Sequence, residues 1–593
     1  MKSLKHITAC NKRRYIEIIY LFVLLLLGLS FLCCVHNYYF LFVEQLQIFR
    51  FDSLYWDQFY KLPGGIAAYT GYFFTQFFVY NHIGGIIIVM LLAILLIFMY
   101  MFMQKSKYNR FNLPLLSIPV ILLFYCFFDT NTRTGTIIAL IIVFIFLNIL
   151  TNISKPVLKN TCSIIFIPFI YWFTGAGIFI YTSFLIIGEL KKNVCLPVII
   201  RITGYLFLTI IPPFIAQHYL ILTDYKAWVG ISYYNISLMP LWNYLAIFSP
   251  VIIVIVIHFL GLCITSEKSQ RIWLLLSLCT SVFIASYSYV KKRNYSQREL
   301  YGWDYHLKQE NWQQLLLLAK QKKDYNPLFI NITNLALAKT GQLTSHLFDF
   351  PQRPDAISLW TSNYYPMSIS GEIYYQLDMP QIARSFFFMA NTQSPNSQSA
   401  HLYKRLAEIE LITENYQMAQ KYISSLANTL FYKKEITEMQ KMINQQSLSE
   451  NLQAREENKP SHPGFFATEF KYNLLIQYNE HPENSFVKDY LLVQCILEND
   501  FPTFFKVINK DTSSLKTNKL PTVYQEFILM YAYLINDNSF VDHYGIQQSV
   551  VQSFYAYLQT NKKELSTEQM REELKVLYGN TYWYYAQFIN RIK

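Results

Sequence analysis

Long apolar segments alternate with short polar stretches over the first 290 residues of the chain. A helix needs about 20 mostly apolar residues to cross the roughly 30 Å hydrocarbon core of a membrane. Nine segments approach that length, so the pattern predicts nine membrane-spanning helices. They are residues 15–35, 84–103, 113–128, 135–153, 161–174, 176–190, 195–216, 241–264 and 272–290. The first lacks a small-residue cleavage site, which favours an uncleaved span over a signal peptide, and the third, fifth and sixth are short enough to be re-entrant.

Residues 36–83 form the one long polar interruption early in this apolar half. They hold three of the eight acidic residues that precede residue 291, together with two cations and a Pro-Gly-Gly turn. These residues are Glu44, Asp52, Asp57, Arg50, Lys61 and Pro63-Gly64-Gly65. The turn is more typical of a bend into an interfacial helix than of a phosphate cradle. If the apolar half holds a reaction centre, we expect it in this loop.

From about residue 311 the pattern changes to short helical segments separated by turn signals, which is typical of internal repeats. The clearest unit runs from 371 to 395 and resembles a tetratricopeptide repeat in its small, aromatic and closing-proline positions. Those positions are Gly371, Tyr374, Ala383, Phe387, Ala390 and Pro395. Another copy centres on Ala419, 36 residues after Ala383. Stacked repeats of this kind leave a groove that binds a peptide or a partner protein.

These patterns predict an all-α protein with a helical membrane domain and a soluble helical-repeat domain. The domains are predicted at residues 1–290 for the membrane part, 291–444 for the first repeats and 464–593 for a second helical region. Residues 445–463 have few apolar side chains and are interpreted as a linker between the two groups of repeats.

Charge is distributed unevenly between the two halves. Residues 1–290 carry 19 Lys and Arg against 8 Asp and Glu, whereas the remainder of a chain with net charge +12 is nearly neutral. The excess lies in loops between apolar segments, so it indicates membrane topology rather than a nucleic-acid partner. The basic loops alternate, which predicts a cytoplasmic amino terminus and an outward-facing loop 36–83. With nine spans, the tail also faces outward, although Lys291, Lys292 and Arg293 oppose that assignment.

The common signatures of soluble enzymes do not occur in the sequence. We find no phosphate-binding Gly-rich loop, no HExxH, no GxSxG and no paired CxxC. The nine cysteines lie mostly in apolar segments and do not have zinc-site spacing. No cofactor is therefore predicted, and a divalent metal has no support from the residues.

The order of these features resembles the C-type (GT-C-like) membrane glycosyltransferases, which have many spans, a long first outer loop with an acidic residue, and a soluble tail. This resemblance implies transfer of a sugar from a polyprenyl-phosphate donor to an acceptor, with an outer-face carboxylate as general base. Glu44 is the first candidate for that base, with Asp52 and Asp57 as alternates. The candidates for binding donor phosphate or sugar are Arg50, Lys61, Arg133, Lys226, Tyr233 and Tyr234. The class often has two adjacent acids, whereas Gln45 follows Glu44 here.

Four further stretches resemble an uncharacterised family of bacterial polytopic membrane proteins. They are Glu44-Gln45 with Phe49, the Pro63 to Tyr69 run, Phe74-x-Gln76-Phe77, and NLALAKTGQL at 334–343. This resemblance covers most of the chain and implies no activity. It implies a multi-pass bacterial membrane protein, and with the charge pattern and span count we expect an inner-membrane protein whose amino terminus is in the cytoplasm and whose carboxy-terminal domain is in the periplasm.

Two alternatives to an enzyme remain. In the first, the protein is a non-enzymatic membrane-anchored scaffold whose repeats recruit envelope proteins, and Glu44, Asp52 and Asp57 are solvated charges that pair with Arg50 and Lys61. The second is a transporter, which the sequence favours less because repeated Gly/Pro-broken spans are missing. A glycosyltransferase requires Glu44 to face a cavity open to lipid, and a scaffold does not.

Overall fold

The protein is helical throughout the part of the chain that the computed structural model describes. That part is residues 19–590 except 33–36, 106–112, 128, 191–195, 236–238, 261–271, 274, 277, 281, 284–291, 323–325, 354–363, 395–397, 462–469, 511–519 and 562–566. Over these residues the only β pairing is an isolated bridge between Thr132 and Tyr234. The predicted all-α class is confirmed. The chain forms two compact units: unit 1 is Met1–Tyr301 with Asn428–Lys433, and unit 2 is Gly302–Ala427 with Lys434–Lys593.

Unit 1 contains the apolar helices and the loop between the first two of them. Its helices are α1 Ile19–Ser30, α2 Asn37–Gln45, α3 Ser53–Tyr60, α4 Gly65–Thr75, α5 Ile83–Lys105, α6 Leu113–Cys126, α7 Gly135–Asn152, α8 Pro156–Thr174, α9 Gly177–Leu190, α10 Leu196–Tyr219, α11 Asp224–Trp228 and α12 Leu241–Leu260. A 3-10 turn, Gln76–Val79, follows α4. The predicted loop is thus folded into three short helices.

The prediction of nine membrane spans is wrong. Among the described residues, four helices are long and apolar enough to cross a membrane, namely α5, α7, α8 and α10. Four others supply only shorter apolar stretches, Ile19–Ser30, Leu115–Cys126, Gly177–Leu190 and Leu241–Ile255. The 14 residues of α9 extend about 21 Å, which is less than a hydrocarbon core of about 30 Å. The ninth predicted segment, 272–290, lies mostly outside the described residues.

Helix α7 is the centre of unit 1, and α4, α5, α8 and α9 pack against it. Its apolar run leaves most of its side chains buried. Gly71 on α4 meets Gly135 at the start of α7 so closely that a Cβ on Gly71 would lie 2.4 Å from the Gly135 nitrogen. This close approach brings a helix of the first loop directly onto the amino-terminal end of α7.

A sharp break separates α8 from α9. Gly175 has φ +62°, and a Cβ there would lie 2.3 Å from the Val229 carbonyl oxygen. The Ala176 N–H donates to the same oxygen at 2.8 Å. The residues after α11 therefore pack against the break between α8 and α9.

Unit 2 consists of short helices connected by turns. They are α13 Lys292–Lys308, which begins in unit 1, α14 Trp312–Lys320, α15 Pro327–Lys339, α16 Leu343–His346, α17 Tyr364–Gln376, α18 Pro380–Gln393, α19 Ala400–Ile412, α20 Tyr416–Ala427, α21 Lys433–Gln445, α22 Glu450–Glu457, α23 Phe470–Glu480, α24 Ser485–Glu498, α25 Phe501–Ile508, α26 Thr522–Ile535, α27 Ser539–His543, α28 Gln548–Asn561, α29 Thr567–Tyr578 and α30 Tyr582–Tyr584. Consecutive helices pack in pairs, most extensively α17 with α18 and α19 with α20.

The segment interpreted as a linker has structure of its own. Within residues 445–463, α22 forms at Glu450–Glu457 and buries Leu452 and Arg455. The Arg455 guanidinium donates to Asp378 Oδ1 at 2.9 Å and to the Tyr375 carbonyl oxygen at 2.7 Å. This helix is therefore tied to α17 and the turn after it, while residues 462–463 lie outside the described part of the chain.

Candidate functional site

Glu44 lies near the end of α2 and is only 6% exposed. Its Oε1 atom accepts a hydrogen bond from the Tyr432 hydroxyl at 3.1 Å. Tyr432 follows Glu44 by 388 residues in the sequence but belongs to the same unit. The first candidate for the general base is therefore a buried carboxylate that already has a tyrosine partner.

Asp52 is the N-cap of α3, and its Oδ1 accepts from the Tyr55 backbone N–H at 2.7 Å. The Arg50 guanidinium donates to both carboxylate oxygens, at 2.7 and 3.0 Å. The hydrogen bond from Arg50 lowers the pKa of Asp52, and the Tyr55 N–H acts in the same direction. Asp52 is thus an anionic cap that starts α3, and its oxygens are engaged in that role.

Asp57 and Lys61 form an exposed pair on consecutive turns of α3 and its C-cap. The Lys61 Nζ lies 3.4 Å from Asp57 Oδ2, and their side chains are 59% and 44% exposed respectively. An exposed pair at this spacing contributes roughly 0.3–0.5 kcal/mol. These two residues are therefore a solvated surface pair.

The Pro63-Gly64-Gly65 turn begins α4, with Gly64 as its N-cap. The Gly64 N–H donates to the Trp172 carbonyl oxygen at 2.9 Å, and the Gly65 N–H donates to that of Leu62 at 3.0 Å. Since both amide hydrogens are used inside the protein, this turn is a helix start and a contact with α8.

Arg133 lies two residues before α7, in the loop that follows α6. Its Nε atom donates to Asn235 Oδ1 at 2.6 Å, and its Nη1 donates to the Ile231 carbonyl oxygen. The guanidinium also stands 5.5 Å from the centre of the Tyr72 ring on α4. Arg133 thereby joins three separate segments of unit 1 at one end of α7.

Tyr233 and Tyr234 meet the Arg133 loop through their backbone and one hydroxyl. The Tyr233 carbonyl oxygen accepts from the Arg133 N–H at 3.1 Å and from Thr136 Oγ1 at 3.0 Å. The Tyr234 hydroxyl donates to Asp129 Oδ2. Both rings are buried, at 0% and 5% exposure, so neither presents a face on which a sugar stacks in this conformation.

Lys226 is exposed on the short helix α11, where Thr223 caps its backbone N–H. Among the described residues, no hydrogen bond or ion pair joins its side chain to the other predicted site residues. The structure thus brings Arg133 together with Tyr233 and Tyr234, joins Arg50 to Asp52, joins Asp57 to Lys61, and leaves Lys226 apart.

The described residues also bear on whether the site holds a metal ion. They include no group of three or more His, Cys, Asp and Glu side chains arranged to hold a metal ion. Asp129 is engaged instead, since it accepts from Tyr234 and from the Asn131 backbone N–H at 3.0 Å.

The family comparison covers almost the entire chain. The model of the family of unknown function DUF6057 matches residues 12–589. The chain belongs to this family. Neither the curated proteins nor the solved structures include a match. Membership in DUF6057 agrees with the resemblance to an uncharacterised family and does not extend to the glycosyltransferase resemblance.

Sequence reasoning missed the segment Asn428–Lys433, whose residues contact two of the three candidate carboxylates. Asn428 Nδ2 lies 3.4 Å from Asp52 Oδ2, and Tyr432 contacts Glu44. No signal in the sequence links this segment to the first loop, because it lies between two helices of unit 2 in chain order.

Proposed function

We propose that this DUF6057 protein is a membrane glycosyltransferase that moves a sugar from a polyprenyl-phosphate donor to an acceptor on the outer face of the bacterial inner membrane. The main observation in favour of this function is the set of groups that contact the Arg133 guanidinium. Its partners among the described residues are an amide oxygen, a carbonyl oxygen and an aromatic ring, and none is a carboxylate. A guanidinium has five N–H donors, and two of those of Arg133 have partners among the described residues.

The remaining donors suit a phosphate oxygen, which a guanidinium binds through two parallel hydrogen bonds. Arg133 is half-buried and directly precedes α7, a candidate membrane span. A residue at the end of a span lies at the depth of lipid headgroups. These features support a phosphate-binding role for Arg133.

In the proposed reaction, Glu44 takes the proton of an acceptor hydroxyl as its oxygen attacks the anomeric carbon of the sugar. The bond between that carbon and the phosphate oxygen breaks, and the polyprenyl phosphate leaves with the electron pair. Arg133 stabilises the charge on the departing phosphate. Asp52 and Asp57 are secondary candidates because their carboxylates are paired with Arg50 and Lys61.

The second candidate function is a membrane-anchored scaffold, and unit 2 favours it. Gly371 on α17 lies against the Phe387 ring of α18, where a Cβ would come within 2.5 Å of that ring. Ala383 and Ala390 on α18 are fully buried, as the small positions of a tetratricopeptide-like repeat would be, whereas Pro395 lies outside the described residues. In either function, a groove between these helices would bind a protein or peptide partner.

The test separates donor binding from chemistry in membranes that contain the full chain. The donor is a long-chain polyprenyl phosphate carrying a radiolabelled hexose. In Glu44→Gln, turnover should fall by about 10²-fold or more, the usual contribution of a positioned base, while donor binding persists. The matched control, Glu483→Gln, makes the same change at an exposed carboxylate of unit 2 and should turn over at the wild-type rate.

Arg133→Gln should weaken binding of the same donor about tenfold or more, because a hydrogen bond to a charged group is lost. Arg384→Gln, at a half-exposed arginine of unit 2, is its control. Wild-type turnover in a correctly inserted Glu44→Gln protein removes Glu44 from the mechanism. If Arg133→Gln also binds donor normally, the scaffold becomes the better explanation.

A further inference from the structure

The segment Asn428–Lys433, named the strap below, packs onto the first loop within unit 1. At its beginning, the Phe51 backbone N–H donates to the Asn428 carbonyl oxygen at 3.0 Å. The Asn428 side chain donates to Asp52 Oδ2 at 3.4 Å. This end of the strap is therefore held by the residues that start α3.

The middle of the strap is held by aromatic packing. The Phe431 ring meets the Phe77 ring at 5.4 Å and the Tyr80 ring at 5.3 Å, with both pairs close to perpendicular. Edge-to-face aromatic pairs at these distances are favourable beyond the area they bury. Phe431 is thus an anchor that places the next residue, Tyr432, beside α2.

At the far end, the Tyr432 hydroxyl donates to Glu44 Oε1 at 3.1 Å. An acceptor hydroxyl must come within about 2.6–3.2 Å of a general base to give up its proton. The Tyr432 hydroxyl is a group of the same kind, and its distance from the carboxylate falls within that range. The Glu44 side chain is only 6% exposed. In this conformation the strap occupies the position that an acceptor hydroxyl would take.

We propose that the strap is a reversible cover over Glu44, and that it lifts when an acceptor hydroxyl replaces Tyr432. The identity of the incoming group rests on the function proposed above. The covering itself does not, so it is tested without any turnover.

The experiment measures the reactivity of Glu44 toward a water-soluble carbodiimide and an amine, in membranes containing the full chain. Modified peptides are identified by mass spectrometry. Asp57, whose side chain is 44% exposed, serves as the internal reference. In the wild-type protein we expect slow modification of Glu44 and rapid modification of Asp57.

Two variants release the strap in different ways. Tyr432→Phe keeps the ring and removes the hydrogen bond to the carboxylate, and Phe431→Ala removes the aromatic anchor. Each should raise Glu44 modification roughly tenfold relative to Asp57, the effect expected from losing a hydrogen bond to a charged group or a packed ring. Tyr544→Phe is the matched control, since its hydroxyl donates to Asn509 at 2.8 Å in unit 2, and it should leave Glu44 modification unchanged.

Unchanged Glu44 modification in both strap variants overturns the proposal. Increased modification supports the cover even if no variant, nor the wild-type protein, transfers sugar. In that case the function proposed above fails and the cover does not.

Discussion

At the scale of single residues, a buried cluster of charged side chains lies in unit 2 around Glu372. This carboxylate is fully buried, and Arg405 donates to both of its oxygens at 3.0 and 3.1 Å. The His401 Nε2 atom lies 2.9 Å from Glu372 Oε1. Although burial opposes ionisation, the charge of Arg405 and the hydrogen bond with His401 hold the pKa of Glu372 well below its usual value. The carboxylate is stable inside the unit because its partners replace water.

His401 in the same cluster predicts a pH dependence. Burial lowers its pKa from 6.5 to about 4, and the nearby charge of Lys308 acts in the same direction. Between these values the unfolded chain binds a proton that the folded unit does not, so stability should fall as the pH drops from about 6.5 to about 4. The effect should be roughly 1–3 kcal/mol, measured by thermal or urea unfolding of unit 2 at a series of pH values.

His401→Gln, which does not titrate, should remove this part of the pH dependence. His346→Gln is the control, because His346 is half-exposed beside Asp349 and its replacement should leave the slope as it is. An identical slope in the wild-type and His401→Gln proteins would contradict the assignment.

At the scale of elements, pairs of helices depend on small residues at their contacts. Gly71 and Gly135 allow α4 to approach α7, and Gly371 allows Phe387 of α18 to lie on α17. The first contact brings α4, which is part of the first loop, close to Arg133. The second allows α17 and α18 of unit 2 to pack together. In both cases a side chain larger than hydrogen has no room.

A substitution on α18 tests the repeat register in unit 2. Ala383 is fully buried, so Ala383→Leu should overpack the junction and destabilise the protein by about 1–3 kcal/mol. Ser385→Leu, at an exposed position of the same helix, should have little effect. Circular dichroism during thermal unfolding of the purified full chain measures both. Unchanged stability in Ala383→Leu would show that the repeat register is misassigned.

At the scale of the whole molecule, the side of the membrane on which residues 291–593 lie is a prediction. The outer placement relied on an odd number of spans, nine, after a cytoplasmic amino terminus. The four candidate spans among the described helices do not support that argument. An outer tail therefore stays a prediction, drawn from the alternation of basic loops along the sequence.

Cysteine labelling tests this topology in a variant that lacks the nine native cysteines. Ser447→Cys is exposed just after α21 and should react with a membrane-impermeant thiol reagent in cells whose outer membrane alone is permeabilised. Lys155→Cys, in the predicted cytoplasmic loop before α8, should react only after lysis. Reaction of Ser447→Cys only after lysis would place the tail in the cytoplasm.

The sequence by itself determined the helical class, because apolar runs and helical periodicity are local properties of neighbouring residues. It also indicated the bend at Pro63-Gly64-Gly65, since a turn needs only the residues themselves. The span count failed because several of the predicted segments form apolar helices too short to cross a membrane, such as the 14-residue α9.

Only the tertiary structure decided which candidate groups share a site. It joined Glu44 to Tyr432 across 388 residues of sequence, buried the rings of Tyr233 and Tyr234, and made Asp52 a helix cap instead of a solvated charge. These outcomes depend on contacts between segments that are distant in the chain. Such contacts follow from how whole helices pack, and the local pattern of residues does not encode that packing.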